Sequence, residues 1–132
     1  MATFHLTGDA LWQRMNRAVD YRTDFYSLGI TFYELLTGQL PFSDQDILAL
    51  VHCHIAQQPV PPHTLNPEIP PILSQIILKL MAKNAEDRYQ SAQGLKADLM
   101  ECLRQWEASK QITPFSLAQQ DTRERFQIPQ KL

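Results

Sequence analysis

Apolar residues recur at helical spacing in four stretches of the chain, separated by turn-forming residues. In the first stretch, residues 20–37, apolar side chains point in nearly every direction when wound at 3.6 residues per turn, which is typical of a buried helix. Asp20 is a good N-cap residue, and Gly38 supplies the left-handed position that ends many helices. The pattern therefore predicts a buried central helix from Asp20 to Thr37.

A second helix is predicted after the turn at Gly38–Phe42. Ser43 or Asp44 can cap it, and it runs from about Asp46 to Gln57. Its apolar residues share one face: Ile47, Leu48, Val51 and Ile55. Because an apolar stripe at helical spacing is usually core, we expect these side chains to pack on the central helix, which leaves the opposite face for docking.

A proline-rich connection follows the second helix. Residues 59–71 hold six of the nine prolines of the chain, so neither a helix nor a central strand is expected there. Pro59 and Pro62 have the P-x-x-P spacing of a polyproline ligand. A stiff connection between two helices is the more usual role of such a segment.

Two more helices complete the pattern. Pro71 suits the first turn of the third helix, and Ser91 caps the fourth. The third helix has a one-sided apolar face formed by Ile72, Leu73, Ile76, Ile77, Leu80 and Met81. The fourth has an apolar face formed by Ala92, Leu95, Leu99, Cys102, Leu103 and Trp106, with Lys96, Asp98, Glu101 and Arg104 outward. From about Glu107 the periodicity fades, which predicts a linker.

Asp24 interrupts the apolar pattern of the central helix. A carboxylate buried there would cost several kcal/mol unless hydrogen-bond donors surrounded it. Asp24 could cap its own first turn and favour the helix dipole. Another interpretation comes from a resemblance: residues 24–29 (D-F-Y-S-L-G) are similar to the D-x-[WY]-S-x-G motif of protein kinases, whose Asp accepts backbone N–H groups of the catalytic loop.

A second segment carries the same resemblance. Residues 83–89 (K-N-A-E-D-R-Y) are similar to the kinase segment whose Arg pairs with the Glu that closes the activation segment. Arg88 is the matching residue, and Ala85 stands where many kinases carry Pro. Alone, Arg88 would be read as a solvated surface cation. With residues 36–42 (L-T-G-Q-L-P-F) and the order of the helices, the chain resembles the C-terminal half of the large lobe of a serine/threonine protein kinase domain.

The resemblance implies an all-α fragment of the protein-kinase-like fold, with about four main helices and without the β-rich small lobe. It divides the chain into a divergent N-terminal segment (1–13), a partial kinase domain (14–106) and a linker toward a missing downstream domain (107–132). The linker is similar to the connector that follows the N-terminal kinase domain of cyanobacterial-type multidomain sensor kinases.

The resemblance also assigns roles to single residues. The family's structural anchors correspond to Asp24, Ser27, Gly29 and Arg88. Glu34 is a candidate for the peptide-binding surface, although an exposed helical carboxylate more often pairs with a neighbouring base.

Phosphoryl transfer needs a glycine-rich loop, a strand Lys, a catalytic Asp and a metal-binding Asp. The four glycines lie too far apart for a G-x-G-x-x-G loop, no Lys precedes Lys79, and the sequence contains no H-R-D tripeptide. We therefore expect a truncated kinase domain that is inactive alone, with no catalytic or cofactor-binding residue. ATP and Mg would belong to the complete family domain.

The missing segments matter for the two anchors, because Asp24 and Arg88 would both lose their family partners. An unpaired buried charge costs about 3–5 kcal/mol. We therefore expect a chain that is marginally stable, oligomeric or rearranged near these residues. Each anchor would otherwise need water, a local group or another chain.

Composition excludes several classes of partner. A formal net charge of −2 and the lack of a basic run argue against nucleic acid and against an anionic membrane surface. Cys53 and Cys102, with no secretory leader, favour free thiols in the cytoplasm. The alternative to a kinase fragment is a helical interaction module that binds a kinase chain or regulator, or self-associates, through the exposed lobe surface.

The run His52-Cys53-His54 invites a zinc interpretation, since imidazole and thiolate bind that metal. Residues two apart on a helix, however, point about 200° apart. His52 and His54 therefore cannot close on one ion, and no metal site is expected.

Overall fold

The computed structural model describes residues 21–43 and 46–122. Five α-helices occur in them: α1 (Tyr21–Thr37), α2 (Ile47–Ala56), α3 (Pro62–Leu65), α4 (Pro71–Leu80) and α5 (Ala92–Ser109), with a 3-10 turn at Ala85–Asp87 between the last two. These residues contain no strand, so the all-α prediction is confirmed. The predicted cap Asp20 and the divergent segment 1–13 lie outside the described residues, as does Asp44.

Helix α1 is buried along one face, not all round. Its buried residues are Arg22, Phe25, Gly29 and Tyr33. By contrast, Leu35 is 73% exposed. The prediction of burial on every side is wrong for the described part of the chain, because α4 and α3 cover one face of α1 and no described element covers the flank of Leu35.

The C-terminal end of α1 follows the prediction. Gly38 has a φ of 76°, and its backbone N–H donates to the Glu34 carbonyl at 2.8 Å. This left-handed residue stops the helix and satisfies one of its last carbonyls.

Gly29 allows α1 and α4 to approach closely. A Cβ atom at this position would lie 2.7 Å from Cγ of Met81, 2.9 Å from Cβ of Leu80 and 3.3 Å from the Ile77 carbonyl oxygen. The first two distances are shorter than van der Waals contact, so a larger residue would force Met81 and Leu80 to shift, and the close crossing of the two helices favours glycine here.

The core lies between α1, α4 and α5, as the stripe on α4 predicts. One buried cluster joins these helices, and a smaller one lies beside it. The first contains Phe25, Ile72, Ile76, Leu80, Tyr89, Leu95 and Cys102. The second contains Tyr33, Phe42, Ile77 and Met81.

Helix α2 has its apolar stripe in solvent. The exposed fractions are 75% for Ile47, 78% for Leu48, 48% for Val51 and 67% for Ile55. The expectation that these residues pack on the central helix is therefore wrong. The helix instead uses its other side, where Leu50 and Cys53 pack against the second cluster.

The N-terminus of α2 is also shifted from the prediction. Asp46 is the N-cap, and its Oδ1 accepts the Leu48 backbone N–H at 3.0 Å. A carboxylate suits this position because it accepts a free N–H at the positive end of the helix dipole.

The proline-rich connection contains the one-turn helix α3 (Pro62–Leu65), so the expectation that no helix forms there is wrong. Pro62 begins this helix, where its missing N–H costs nothing. Pro59 and Pro62 are both buried, so neither is presented as a polyproline ligand. The segment is a stiff connection, and it is anchored by His63, whose backbone N–H donates to Ser74 Oγ at 2.8 Å.

Helix α5 begins as predicted and ends later. Ser91 Oγ accepts the Gly94 N–H at 3.0 Å, and the helix continues to Ser109, where Lys110 takes a left-handed φ of 59°. Asp98, predicted to point outward, is only 5% exposed. The reason is that the chain after α5 turns back and covers this side of the helix. None of the described helices is long and apolar enough to cross a bilayer.

Candidate functional site

The residues that carry the kinase-like motif lie on the first turns of α1, with different environments. Asp24 and Ser27 are exposed, whereas Gly29 is buried at the crossing with α4. An exposed carboxylate keeps its water, so Asp24 bears no burial penalty that donors would have to offset. Glu34 is also exposed, and its carbonyl helps to end α1.

Arg88 reaches across to α1 and is held by backbone carbonyls. Its Nε donates to the Ala82 carbonyl at 2.7 Å, Nη1 to that of Arg22 at 3.0 Å, and Nη2 to that of Lys83 at 3.3 Å. The guanidinium also lies 4.9 Å from the ring centre of Tyr26. Arg88 is thus neither a free surface cation nor an uncompensated charge, since local acceptors take the place of a family partner.

We call the contact between the start of α1 and the loop after α4, which includes Arg88, Gln90 and Arg22, the junction. Arg22 is its second cation, and sequence reasoning missed this role. The residue is 7% exposed. Its Nη1 donates to Gln90 Oε1 at 2.9 Å and lies 4.0 Å from Glu86 Oε2. A charged residue one turn before a buried Phe was the available signal, because such residues are seldom buried unless paired.

Gln90 connects the turn after α4 to the start of α1. Its Nε2 donates to the carbonyls of Ala85, Glu86 and Arg88 at 3.0, 3.1 and 2.7 Å. The backbone carbonyl of Gln90 accepts a hydrogen bond from the Tyr21 hydroxyl at 2.5 Å. Gln90 therefore holds the loop against α1 through both its side chain and its backbone carbonyl, and nothing in the hydrophobic pattern predicted this role.

At one edge of the junction, Lys83 of the loop after α4 meets His54 in the last turn of α2. Lys83 Nζ donates to the carbonyls of Cys53 and His54 at 3.2 and 3.1 Å, which satisfies the last turn of α2. The Tyr26 hydroxyl lies 2.9 Å from His54 Nδ1, and the Phe42 ring centre is 4.9 Å from that of His54.

Burial and nearby cations shift the pKa values of the ionisable side chains at this edge. The pKa of His54 is lowered, first by burial and then by Lys83. Burial also lowers the pKa of Lys83 and raises that of Tyr26, which Arg88 partly offsets. His54 is thus a neutral, packed ring at neutral pH. Within the described ranges, no cluster of three or more potential metal ligands is found.

An apolar groove, about 210 Å³ in volume, lies between α1, α4 and α5. It is lined by Phe32, Leu35, Leu36, Leu73, Ile76, Ile77 and Leu99. The junction itself offers hydrogen bonds between helices and a half-buried positive charge. This arrangement joins elements of the fold.

Comparison with known proteins identifies kinase relatives, although no family model matches the chain. It is 54% identical over 81 residues to hybrid signal transduction histidine kinase G of Dictyostelium discoideum, covering 61% of this chain and 2% of that protein. It is 41% identical over 88 residues to serine/threonine-protein kinase PknB of Mycolicibacterium smegmatis, covering 67% and 14%. It is 38% identical over 105 residues to serine/threonine-protein kinase PksC of Streptomyces coelicolor, covering 80% and 18%.

The chain thus spans between 2% and 18% of the length of these relatives. These kinase relatives, together with the helical fold, confirm the resemblance to protein kinases read from residues 24–29 and 83–89. The chain is therefore a homologue of part of serine/threonine and hybrid histidine kinases, as a fragment of a kinase domain would be.

Proposed function

We propose that this chain is a helical large-lobe portion of a serine/threonine protein kinase domain and that these 132 residues do not transfer phosphate by themselves. The kinase relatives and the motif on α1 support the first part. In the complete domain of the family, ATP and Mg would be held by segments that the printed sequence does not contain. The helices of this portion would then support those segments.

The proposed inactivity rests on the absence from the sequence of residues that bind the phosphates of ATP. A G-x-G-x-x-G loop lets backbone N–H groups approach the phosphates, and the glycines at positions 8, 29, 38 and 94 cannot form one. The cations of the junction also support it. Arg22 and Arg88 already donate to groups of the chain itself.

The test is a phosphate-transfer assay on the purified chain, with radiolabelled ATP, Mg²⁺ and a general serine/threonine substrate protein. We expect no transfer above a protein-free blank, while an intact serine/threonine kinase labels the substrate in the same buffer. Transfer that co-purifies with the chain and is lost in the variant Gly29→Leu, which cannot pack α1 on α4, would refute the proposed inactivity.

A second function, a helical interaction module, is favoured by the exposed stripe on α2. Ile47, Leu48, Val51 and Ile55 stand together in solvent on a helix whose sequence has no Asp, Glu, Lys or Arg. Contiguous apolar surface of this kind marks interaction sites in many proteins. The partner would be an apolar surface of another kinase chain, of a regulator or of a second copy of this chain.

Light scattering after size-exclusion chromatography tests this second function. If the stripe mediates association, Val51→Asp makes the chain monomeric or releases its partner. The matched control is His52→Asp, on the same helix and also exposed, which leaves association unchanged. A monomer at high concentration that retains no partner from cells would remove the basis for the module.

We also propose that the protein is located in the cytoplasm. Cys53 and Cys102 are free thiols on different helices, which fits a reducing environment such as the cytoplasm.

A further inference from the structure

The segment after α5, residues 111–122, returns along that helix instead of leaving the domain; we name it the strap. Its apolar side chains pack against the first core cluster. They are Ile112, Phe115, Leu117 and Ala118. The strap therefore buries apolar surface that a free linker would leave in water.

Asp98 makes the first polar attachment of the strap. This buried carboxylate of α5 accepts the Tyr89 hydroxyl at 2.5 Å and the Ala118 backbone N–H at 2.9 Å, both on Oδ2. One carboxylate thus joins the loop before α5, the helix itself and the strap. Hydrogen bonds to a charged group are among the stronger ones in proteins.

Asp121 makes the second attachment, at the N-terminus of α5. Its Oδ2 accepts the Gln90 backbone N–H and its Oδ1 accepts the Ser91 hydroxyl, each at 2.7 Å. Gly94 leaves the space for this carboxylate, because a Cβ there would lie 2.5 Å from Cβ of Asp121. The position also suits a negative charge, since the helix dipole is positive at this end.

Of the two residues held by Asp121, Gln90 also forms hydrogen bonds with α1. Ser91 caps α5, and Gln90 donates to or accepts from Tyr21, Arg22 and the loop carbonyls. A continuous set of hydrogen bonds therefore runs from Asp121 through Gln90 to the first turn of α1. This turn ends at Asp24, the first residue of the kinase-like motif.

We propose that the strap is a latch that controls order at the start of α1: while Asp121 holds Gln90, the first turn of α1 is fixed, and release of the strap loosens it. Whatever draws residues 111–122 away from α5 would then act on α1 without touching it. This coupling does not depend on whether the chain transfers phosphate.

Hydrogen exchange on the whole chain tests the latch, with Asp121→Ala as the main variant and Asp87→Ala as its matched control. Asp87 is an exposed aspartate in the neighbouring 3-10 turn. We expect Asp121→Ala to accelerate exchange about tenfold or more in residues 111–120, and also at the amides of residues 25–28, which bond to the first turn of α1. Asp87→Ala leaves both regions as in the parent chain.

Gln90→Ala separates the two steps of the coupling. It keeps the backbone N–H that Asp121 accepts but loses the contact to Arg22, so exchange rises at residues 25–28 and stays slow in the strap. If Asp121→Ala accelerates the strap alone, the coupling to α1 is refuted. If it accelerates neither region, the latch itself is refuted.

The variant Asp121→Asn covers the case in which Asp121→Ala unfolds the chain. The amide keeps one acceptor oxygen, so a smaller acceleration confined to the same two regions supports the latch. Equal acceleration across α4 would instead mean general destabilisation and would overturn the proposal.

Discussion

Helices α2 and α4 are the same length, ten residues, and each shows apolar residues at helical spacing, yet the structure uses them in opposite ways. On α4 the stripe forms the core: Ile72, Ile76 and Leu80 are 1%, 1% and 0% exposed. On α2 the stripe faces solvent, with Leu48 78% exposed.

The difference lies in what stands opposite each helix. Helix α4 meets α1 at Gly29, where the missing side chain lets two backbones approach, and α5 packs on the same core. Helix α2 meets the rest of the chain through Leu50 and Cys53, so its longer stripe is turned away. An apolar stripe therefore predicts that some surface covers it, and does not say which chain supplies that surface.

The largest expected effect comes from truncating the buried stripe. Leu80→Ala removes a fully buried side chain beside Gly29, so we expect it to lower the free energy of unfolding by about 2–5 kcal/mol. Urea titration followed by circular dichroism measures this. A loss below about 1 kcal/mol, typical of surface positions, would erase the contrast between α4 and α2.

Overfilling the crossing of α1 and α4 tests the same contrast from the other side. Gly29→Ala places a methyl group 2.7–2.9 Å from Met81 and Leu80, and we expect a loss of about 1–3 kcal/mol in unfolding free energy. Ser27→Ala, two residues earlier and exposed, serves as the control. Equal unfolding midpoints for the two variants would mean that the helices can separate at this point without cost.

The polar side of the core gives the next effect, through Tyr89 and Asp98. Tyr89→Phe removes a donor from a buried carboxylate, so we expect a loss of about 1–3 kcal/mol at neutral pH. Thermal or urea unfolding measures it, with Ser109→Ala on the exposed end of α5 as control. An unchanged midpoint would mean that water replaces the hydroxyl.

The same tyrosine sets a pH dependence. Burial, and then the hydrogen bond to Asp98, raises the pKa of Tyr89 above its ordinary value of 10 in the folded state. A raised folded pKa contributes stability that is complete below pH 10 and is lost as the pH rises above it. Burial also raises the pKa of Cys102 from 9 to about 11, so its contribution falls between those values. Unfolding free energy measured from pH 8 to pH 12 should decline, and Tyr89→Phe should make the decline above pH 10 shallower.

Much of this fold was predictable because its signals are local. Ser91 and Gly38 act within one turn of their helices, and the stripe on α4 has its partners in the described chain. What could not be predicted depends on contacts distant in sequence. The burial of Asp98 follows from a strap that begins 13 residues later, and Arg88 finds one of its acceptors on α1, at a residue 66 positions away.

The candidate site divides in the same way. The motif at residues 24–29 pointed to kinases, in agreement with the relatives, since its residue types are recognisable without a structure. Arg22 and Gln90 were missed because a single polar residue has no periodicity, and the Gln90 amide donates to backbone groups that every residue has. Sequence reasoning therefore found the segment and not the hydrogen bonds that hold it.

The smallest expected effect completes the comparison, on the exposed stripe of α2. Leu48→Ala makes the same chemical change as Leu80→Ala, but at a side chain that is 78% exposed, so in the monomer we expect the unfolding free energy to change by no more than about 0.5 kcal/mol. Urea titrations at low and high protein concentration distinguish two sources of any larger loss. A loss that grows with concentration belongs to an interface that the stripe forms with another chain, because association stabilises the folded state by mass action. A loss of about 2 kcal/mol or more at every concentration would place Leu48 in the core of its own chain, and α2 and α4 would then be alike.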